Sequence, residues 1–384
     1  MQDTQKILLV GCGELGGIIL EYMCRIPGIG EIVVTDVNAE WGRRKVNSAI
    51  LGASYLNLYP KIRFQKMDLL DVGRTAEQLR DINPCIILNG TTLQSWWVVN
   101  EIPPELNKRL YQPKVGLGAW VAMHLALTAR LMEAVKAAGI DTHVVNTSFP
   151  DVTNVSLHRV GMAPTVGIGN GDLLVSYIRK TCGEMFNVPL NNITVDLIAH
   201  HYHAYNWARA GIGSEAPYYL KVYLGRQEIT PDLGDPADFI AKLPRHAGRP
   251  PGRHGQFLVA ASALKNLLAI YFDTGELTMA PGPQGLEGGY PVRLNRRGAR
   301  VVLPADISLE QARGLMLKAQ QYDGISEIND QGDIVLTPQA AAMLEQELSV
   351  DWSVVTIKDA YDQAMELRSK FRQWLQRNGV NLPQ

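Results

Sequence analysis

Through the first 150 residues, short runs of consecutive apolar residues alternate with longer stretches whose apolar positions recur every three or four residues. ILLVG (7–11), EIVVTDV (31–37), IRFQKMD (62–68), CIILNG (85–90) and THVVNTS (142–148) have strand length. GGIILEYMCRI, WGRRKVNSAILGA, TAEQLRDI and the stretch 119–139 between them have helical spacing, the last ending on a glycine stop. That alternation predicts a parallel sheet covered by helices.

Beyond residue 150 the pattern changes. Residues 146–174 are rich in small and polar side chains, as suits an interdomain crossing and a ligand loop, with Asn146, Ser148, Asn154 and Asn170 as neutral donors and acceptors. DLLVSYIRKTCGEMF reads as a helix, and ITVDLIAHHYHAYNW (193–207) opens as a strand. If its period of two persists, His201 and His203 share the face of Ile193, Val195 and Leu197, and His200 lies opposite beside Tyr202. A helix at 256–273, a strand pair within 281–304, and then helix, strand pair and helix follow. The last amphipathic helix has Leu367, Phe371 and Trp374 on one side. The expected organisation is a doubly wound parallel α/β domain at 1–150, an α+β substrate and dimerisation domain at 151–345, and a C-terminal helix at 346–384 packing on the body.

Composition narrows the function classes. With 37 Lys and Arg against 38 Asp and Glu, a net charge of −1, the 384-residue chain has no electrostatic footprint for nucleic acid or an anionic membrane. No run approaches a bilayer span and the N-terminal apolar stretch meets glycine after four residues, so a cytoplasmic protein, expected as a homodimer with a small-molecule substrate, is the simplest expectation. The four cysteines are scattered and there is no HExxH, so no metal is expected.

The candidate chemistry begins at GCGELGG (11–17). Gly11, Gly13 and Gly16 fall between a predicted strand and helix, and Asp36 ends the next strand. This is the spacing of a Rossmann dinucleotide site, with one glycine for the turn, one for backbone approach to pyrophosphate and one for helix packing, and the helix N-terminus facing the phosphates. Glu14 and Leu15 lie between the last two glycines. At the other strand ends, Asp68 and Leu69 are placed for an adenine, Asn89, Gly90 and Thr91 for phosphate or nicotinamide ribose, and Asn146 beside them. A carboxylate at Asp36 suits ribose hydroxyls and so NAD, while Arg43 and Arg44 leave NADP open.

Three of the eight histidines, His200, His201 and His203, cluster within four positions. Histidine titrates near neutrality, which suits the proton that accompanies hydride transfer; a structural histidine pair fits the same pattern. No Tyr-x-x-x-Lys pair offers another donor.

GCGELGG, VVTDVN, MDLLD and LNG, in that order, resemble the dinucleotide-binding half of the saccharopine dehydrogenase-like family. The resemblance covers about the first 150 residues. It implies an NAD(P)-dependent oxidoreductase acting on the C–N bond of a small amino or imino acid. IAHHYHAYNW is similar, more locally, to the His-His run of dihydrodipicolinate reductases, which makes His200 the proton donor. Two other readings stay open: a transient redox cycle on bound NAD, as in homospermidine synthase-like proteins, and a dinucleotide sensor without turnover.

Overall fold

The computed structural model describes residues 5–380, except 214 and 251 and the side chain of Asn100. Its first elements are β1 (Lys6–Val10), α1 (Glu14–Met23), β2 (Glu31–Asp36), α2 (Ala39–Ser54), β3 (Lys61–Lys66), α3 (Val72–Ile82), β4 (Ile86–Asn89), α4 (Pro104–Leu110), α5 (Val121–Ala138), β5 (His143–Asn146), α6 (Pro150–Arg159) and β6 (Val166–Gly167). The six strands form one parallel sheet in the order β3-β2-β1-β4-β5-β6. β1, β2, β4 and β5 are buried on both faces, which is why they read as mostly apolar runs, whereas the edge strand β3 is only partly covered. Leu8, Val10, Val33 and Ile87 pack towards α3 and α5. Ile7, Leu9, Ile32, Val34 and Leu88 pack on the other face with Ile19 and Leu20 of α1. The chain leaves β1 for β2 on one side and β4 lies on the other, so a crevice opens above β1 and β4, where ligands of such sheets lie.

The rest of the chain comprises α7 (Gly171–Met185), β7 (Ile193–Ile198), α8 (His201–Tyr205), a π-turn (Asn206–Ala210), β8 (Tyr219–Leu224), β9 (Gln227–Glu228), α9 (Pro236–Ala247), α10 (Gln256–Tyr271), β10 (Glu276–Pro281), β11 (Gly289–Asn295), β12 (Gly298–Val301), α11 (Leu309–Ala319), β13 (Ile325–Ile328), β14 (Ile334–Leu336), α12 (Pro338–Leu348), β15 (Val354–Val355) and α13 (Ala360–Arg377). They form three small antiparallel sheets, β7-β8-β9, β10-β11-β12 and β13-β14-β15. Ala199 and Gly289 bridge the first two.

The fold class is that expected, but the chain does not divide at residue 150. Val166 and Gly167 pair with Val145 and Asn146 as the sixth strand. Helix α10 packs in the core of the α1 face, and Ile325, Ile334 and Leu344 join α13 in the core of the α5 face. The apolar stripe of α13 seats Leu367, Phe371 and Trp374 there, with the Phe371 ring edge-on to Trp120 at 4.9 Å. The parallel sheet exposes two apolar faces, and distant segments cover both. No helix among the described residues is long and apolar enough to cross a membrane.

Candidate functional site

The three glycines after β1 are required for different reasons. Gly11 has a φ of +88°, and a Cβ there would stand 2.7 Å from Thr91 Cγ2, so both conformation and space exclude a side chain. A Cβ on Gly16 would lie 2.1 Å from the Gly11 carbonyl oxygen, which is how closely α1 packs on the turn. Gly13, the N-cap of α1, would meet nothing within 4 Å. The fold therefore requires the first and last glycines, whereas nothing in the protein requires the middle one. Its open side borders a cavity of about 420 Å³.

That cavity runs along the crevice. Of the sequence-predicted set, Gly11, Gly13, Glu14, Leu15, Asp36, Asp68, Leu69, Gly90 and Thr91 line it. Gly16, Asn89 and Asn146 do not. Asn89 is fully buried and accepts from the Thr91 amide (3.2 Å) and hydroxyl (2.6 Å), while its Nδ2 donates to Thr128 Oγ1 and Asn146 Oδ1. Asn146 Nδ2 in turn donates to Asn154 Oδ1 at 2.8 Å and its Oδ1 accepts from the Ser148 amide. These asparagines, the last residues of β4 and β5, brace the loops from beneath the cavity floor, because both side chains are fully buried. Sequence reasoning missed Trp96, His124, Gln256 and Tyr361 on the wall. The last two come from distant segments and carry no local pattern; His124, set in the otherwise apolar run 121–127 that opens α5, was a readable signal.

Asp36 holds its place through backbone donors: Oδ2 accepts from the Cys12 amide and Oδ1 from the Asn38 amide, each at 2.8 Å. Lone pairs remain on both oxygens. Arg44 pairs with Glu40 at 2.6 Å and Arg43 lies over the Phe64 ring at 5.8 Å; neither borders the cavity.

The histidine cluster departs from its expected alternation. β7 ends at Ile198 and α8 begins at His201, so helical geometry governs where these side chains point. His200 is fully buried, with no hydrogen-bond partner for either ring nitrogen among the described residues. Burial, with repulsion from His201 and His203 and against the attraction of Asp323, pushes its pKa down to about 3. His203 Nδ1 accepts from the His200 amide at 3.1 Å, and its ring packs edge-on to Trp207 at 5.2 Å. Burial lowers its pKa as well, so neither His200 nor His203 is placed to carry a proton near neutrality.

His201 is different. It is partly exposed to a cavity, and its Nδ1–H donates to Asp323 Oδ2 at 2.7 Å, which leaves Nε2 for the cavity. Burial opposes its charge, but the attraction of Asp323, that hydrogen bond and the nearby Asp151 carboxylate together raise its pKa above 6.5. Burial alone would raise the Asp323 pKa, yet His201, the His200 ring 3.6 Å away and the Leu117 amide, which donates at 3.0 Å, hold it below the usual carboxylate range. This is an oriented, chargeable imidazole backed by a buried carboxylate. Asp323 lies 122 residues away in QQYDG, where no sequence pattern marks it.

The cavity that His201 borders is a chamber of about 110 Å³, and it shares Leu15, Trp96, His124 and Thr147 with the groove. Arg209 and Arg249 stand on its wall. Arg209 comes from the π-turn, an irregularity common at functional sites. Its guanidinium stacks over Trp96 at 4.4 Å and Tyr205 at 5.4 Å, and it meets no carboxylate among the described residues. Arg249 follows α9, in the Pro/Gly-rich segment before α10. Phe149 packs between His124 and His201, with ring centroids 6.0 and 5.0 Å away. Phe149 and Asn170, both chamber residues, hold positive φ values of 48° and 53°, and Asn170 Nδ2 donates to Asp151 Oδ2. His124, 3.1 Å from Ser148 Oγ, is kept neutral by burial, which takes its pKa down to about 3.

No family model and no curated protein sequence matches the chain. Solved structures do share its fold. The lactate dehydrogenase of Cryptosporidium parvum, solved with lactic acid and nicotinamide adenine dinucleotide, superposes with a TM-score of 0.58 at 15% identity over 85% of this chain and 98% of that one. The Eimeria maxima lactate dehydrogenase, solved with NADH and oxamate, gives 0.57 at 14% identity over 83% and 91%. A Plasmodium falciparum malate dehydrogenase gives 0.56 at 13% identity over 94% and 99%. At such identities the likeness establishes the fold, one shared with NAD-dependent Rossmann dehydrogenases.

Proposed function

We propose that this chain is an NAD-dependent oxidoreductase that moves a hydride between the nicotinamide cofactor and a hydroxy- or oxo-acid, with His201 carrying the accompanying proton. The observation that carries this reading is the His201–Asp323 pair facing a chamber continuous with the Gly11–Gly13 groove. The groove fits a dinucleotide: an added Cβ at Gly13 would occupy space that no protein atom fills, and 420 Å³ lies in the range of small-molecule sites. The unpaired amides of the first turn of α1 would hold pyrophosphate, and Asp36 the adenosine ribose hydroxyls. Like charge on Asp36 disfavours a 2'-phosphate, and Arg43 and Arg44 are engaged elsewhere, which supports NAD over NADP.

Bound NAD supplies or accepts the hydride. Arg209, with Arg249, offers positive charge to a substrate carboxylate, and its stacking on Trp96 fixes the guanidinium plane. Protonated His201 donates from Nε2 to the substrate oxygen in reduction and takes the proton back in oxidation, while Asp323 holds the tautomer and stabilises the imidazolium. The saccharopine dehydrogenase-like resemblance pointed to a C–N bond. The likeness to enzymes named for lactate and malate, together with a histidine acid and a cationic carboxylate anchor, supports C–O chemistry. Stopped-flow absorbance with NADH and a panel of 2-oxo acids, with and without ammonium, tests it. Net NADH loss without ammonium is expected. A strict ammonium requirement would restore the C–N reading, turnover without net change would mean a transient redox cycle, and binding with neither would mean a sensor.

A further inference from the structure

We infer, resting on the oxidoreductase reading above, that the substrate carries an aromatic side chain, housed in a second chamber on the far side of His201. That chamber has a volume of about 250 Å³, against about 110 Å³ for the chamber holding the arginines, and the two share Trp96, Leu117, His201 and Tyr205. His201 therefore stands at the junction. A substrate with its carboxylate at Arg209 and its reacting carbon at His201 sends its third substituent towards the larger space.

The walls state what that substituent is. Trp96, Tyr111, Tyr202, Tyr205, Tyr322 and Leu117 all line it. Tyr111 and Tyr205 lie parallel with centroids 6.3 Å apart, and Tyr202 and Tyr322 are tilted at 5.5 Å. Flat rings at these separations leave faces and edges for another ring. Beside the tyrosines, the ionisable groups on the wall are His201 and Asp323, and they are committed to each other. Burial raises the Tyr111 pKa, so that hydroxyl stays uncharged. Arg209 is stacked on Trp96 and Tyr205 and Lys114 on Tyr322, but no lysine or arginine lines the chamber, so a second carboxylate would face rings and not a cation, whereas a methyl group would leave the chamber largely empty. An uncharged aromatic ring matches both shape and charge.

The test separates this inference from the redox reading beneath it. Calorimetric titration of the intact protein at saturating NAD compares phenyllactate with lactate, and NADH absorbance compares phenylpyruvate with pyruvate. One methylene in an apolar pocket is worth about 10- to 200-fold in discrimination, so the aryl acid should lead by at least ~10²-fold in affinity and in kcat/KM. Tyr111→Ala should bring that ratio down towards unity. Gln112→Trp, which narrows the chamber from an exposed position, should do the same without disturbing the core. Equal affinity for the two acids, or no phenyllactate binding, overturns the inference. Tight, Tyr111-dependent binding of phenyllactate with no net NADH change leaves the aryl chamber standing and rejects the redox function.

Discussion

At the residue scale the decisive contrast lies between two adjacent histidines. His201 gains charge from its carboxylate partner, while His200, one residue earlier, is sealed in the core with its pKa near 3. His201→Asn should lower the rate of reduction by ~10²- to 10⁴-fold, the usual cost of a lost general acid. His200→Asn should act mainly on thermal stability, because a buried side chain far from water reports on packing. Comparing turnover and melting temperature for the two variants distinguishes the roles. The sign of the pH dependence follows from the same geometry. Reduction needs His201 protonated, so kcat/KM should be high at low pH and fall as pH rises through the raised His201 pKa. Asp323→Asn removes the attraction and should move that falling limb to lower pH; a limb that stays in place would assign the titration to another group. The raised His201 pKa adds stability below about 6.5 that disappears as pH climbs through the folded-state value, and the lowered Asp323 pKa adds stability that is lost as pH falls through its own.

The turn from β1 into α1 shows how one motif divides its labour at the scale of an element. Gly16 permits α1 to touch the turn, and Gly13 serves space outside the protein. Gly13→Val should therefore abolish NAD(H) binding in a calorimetric titration and leave the melting temperature close to wild type. Gly16→Val should lower both, since its Cβ collides with the Gly11 backbone. If Gly13→Val binds cofactor with unchanged affinity, the pyrophosphate assignment fails. The second element of consequence is the junction of β7 and α8. Continuing the strand's period through 200–203 placed the histidines on the wrong faces, because the alternation of a strand ends where the first helical turn begins. AHHYH offers no proline or glycine to announce that change. The π-turn that follows is equally silent in sequence, yet it sets Arg209 on the chamber wall.

On the scale of the whole molecule, stability and site are carried by segments far apart in the chain. Trp374 is buried beside Phe371 and donates from Nε1 to Glu347 at 3.0 Å, closing α13 over the α5 face of the sheet. Trp374→Ala should cost ~3–5 kcal/mol in denaturant unfolding with little change in cofactor affinity, as α13 borders the groove through Tyr361 in its first turn, more than three turns from Trp374. The doubly wound sheet, the glycine turn and the carboxylate at the end of β2 were legible from the sequence, because each rests on local causes: runs buried on two faces, a backbone that must turn at Gly11, a residue at a strand terminus. The histidine cluster after residue 198 was visible too, but which of the three borders the chamber was not. Tertiary structure alone decided that Asp323 meets His201, that Asn89 and Asn146 brace the groove from below, and that Arg209 and Arg249 share one wall. Those pairings join segments from 40 to 122 residues apart, and local periodicity carries no information about which distant surface packs against it.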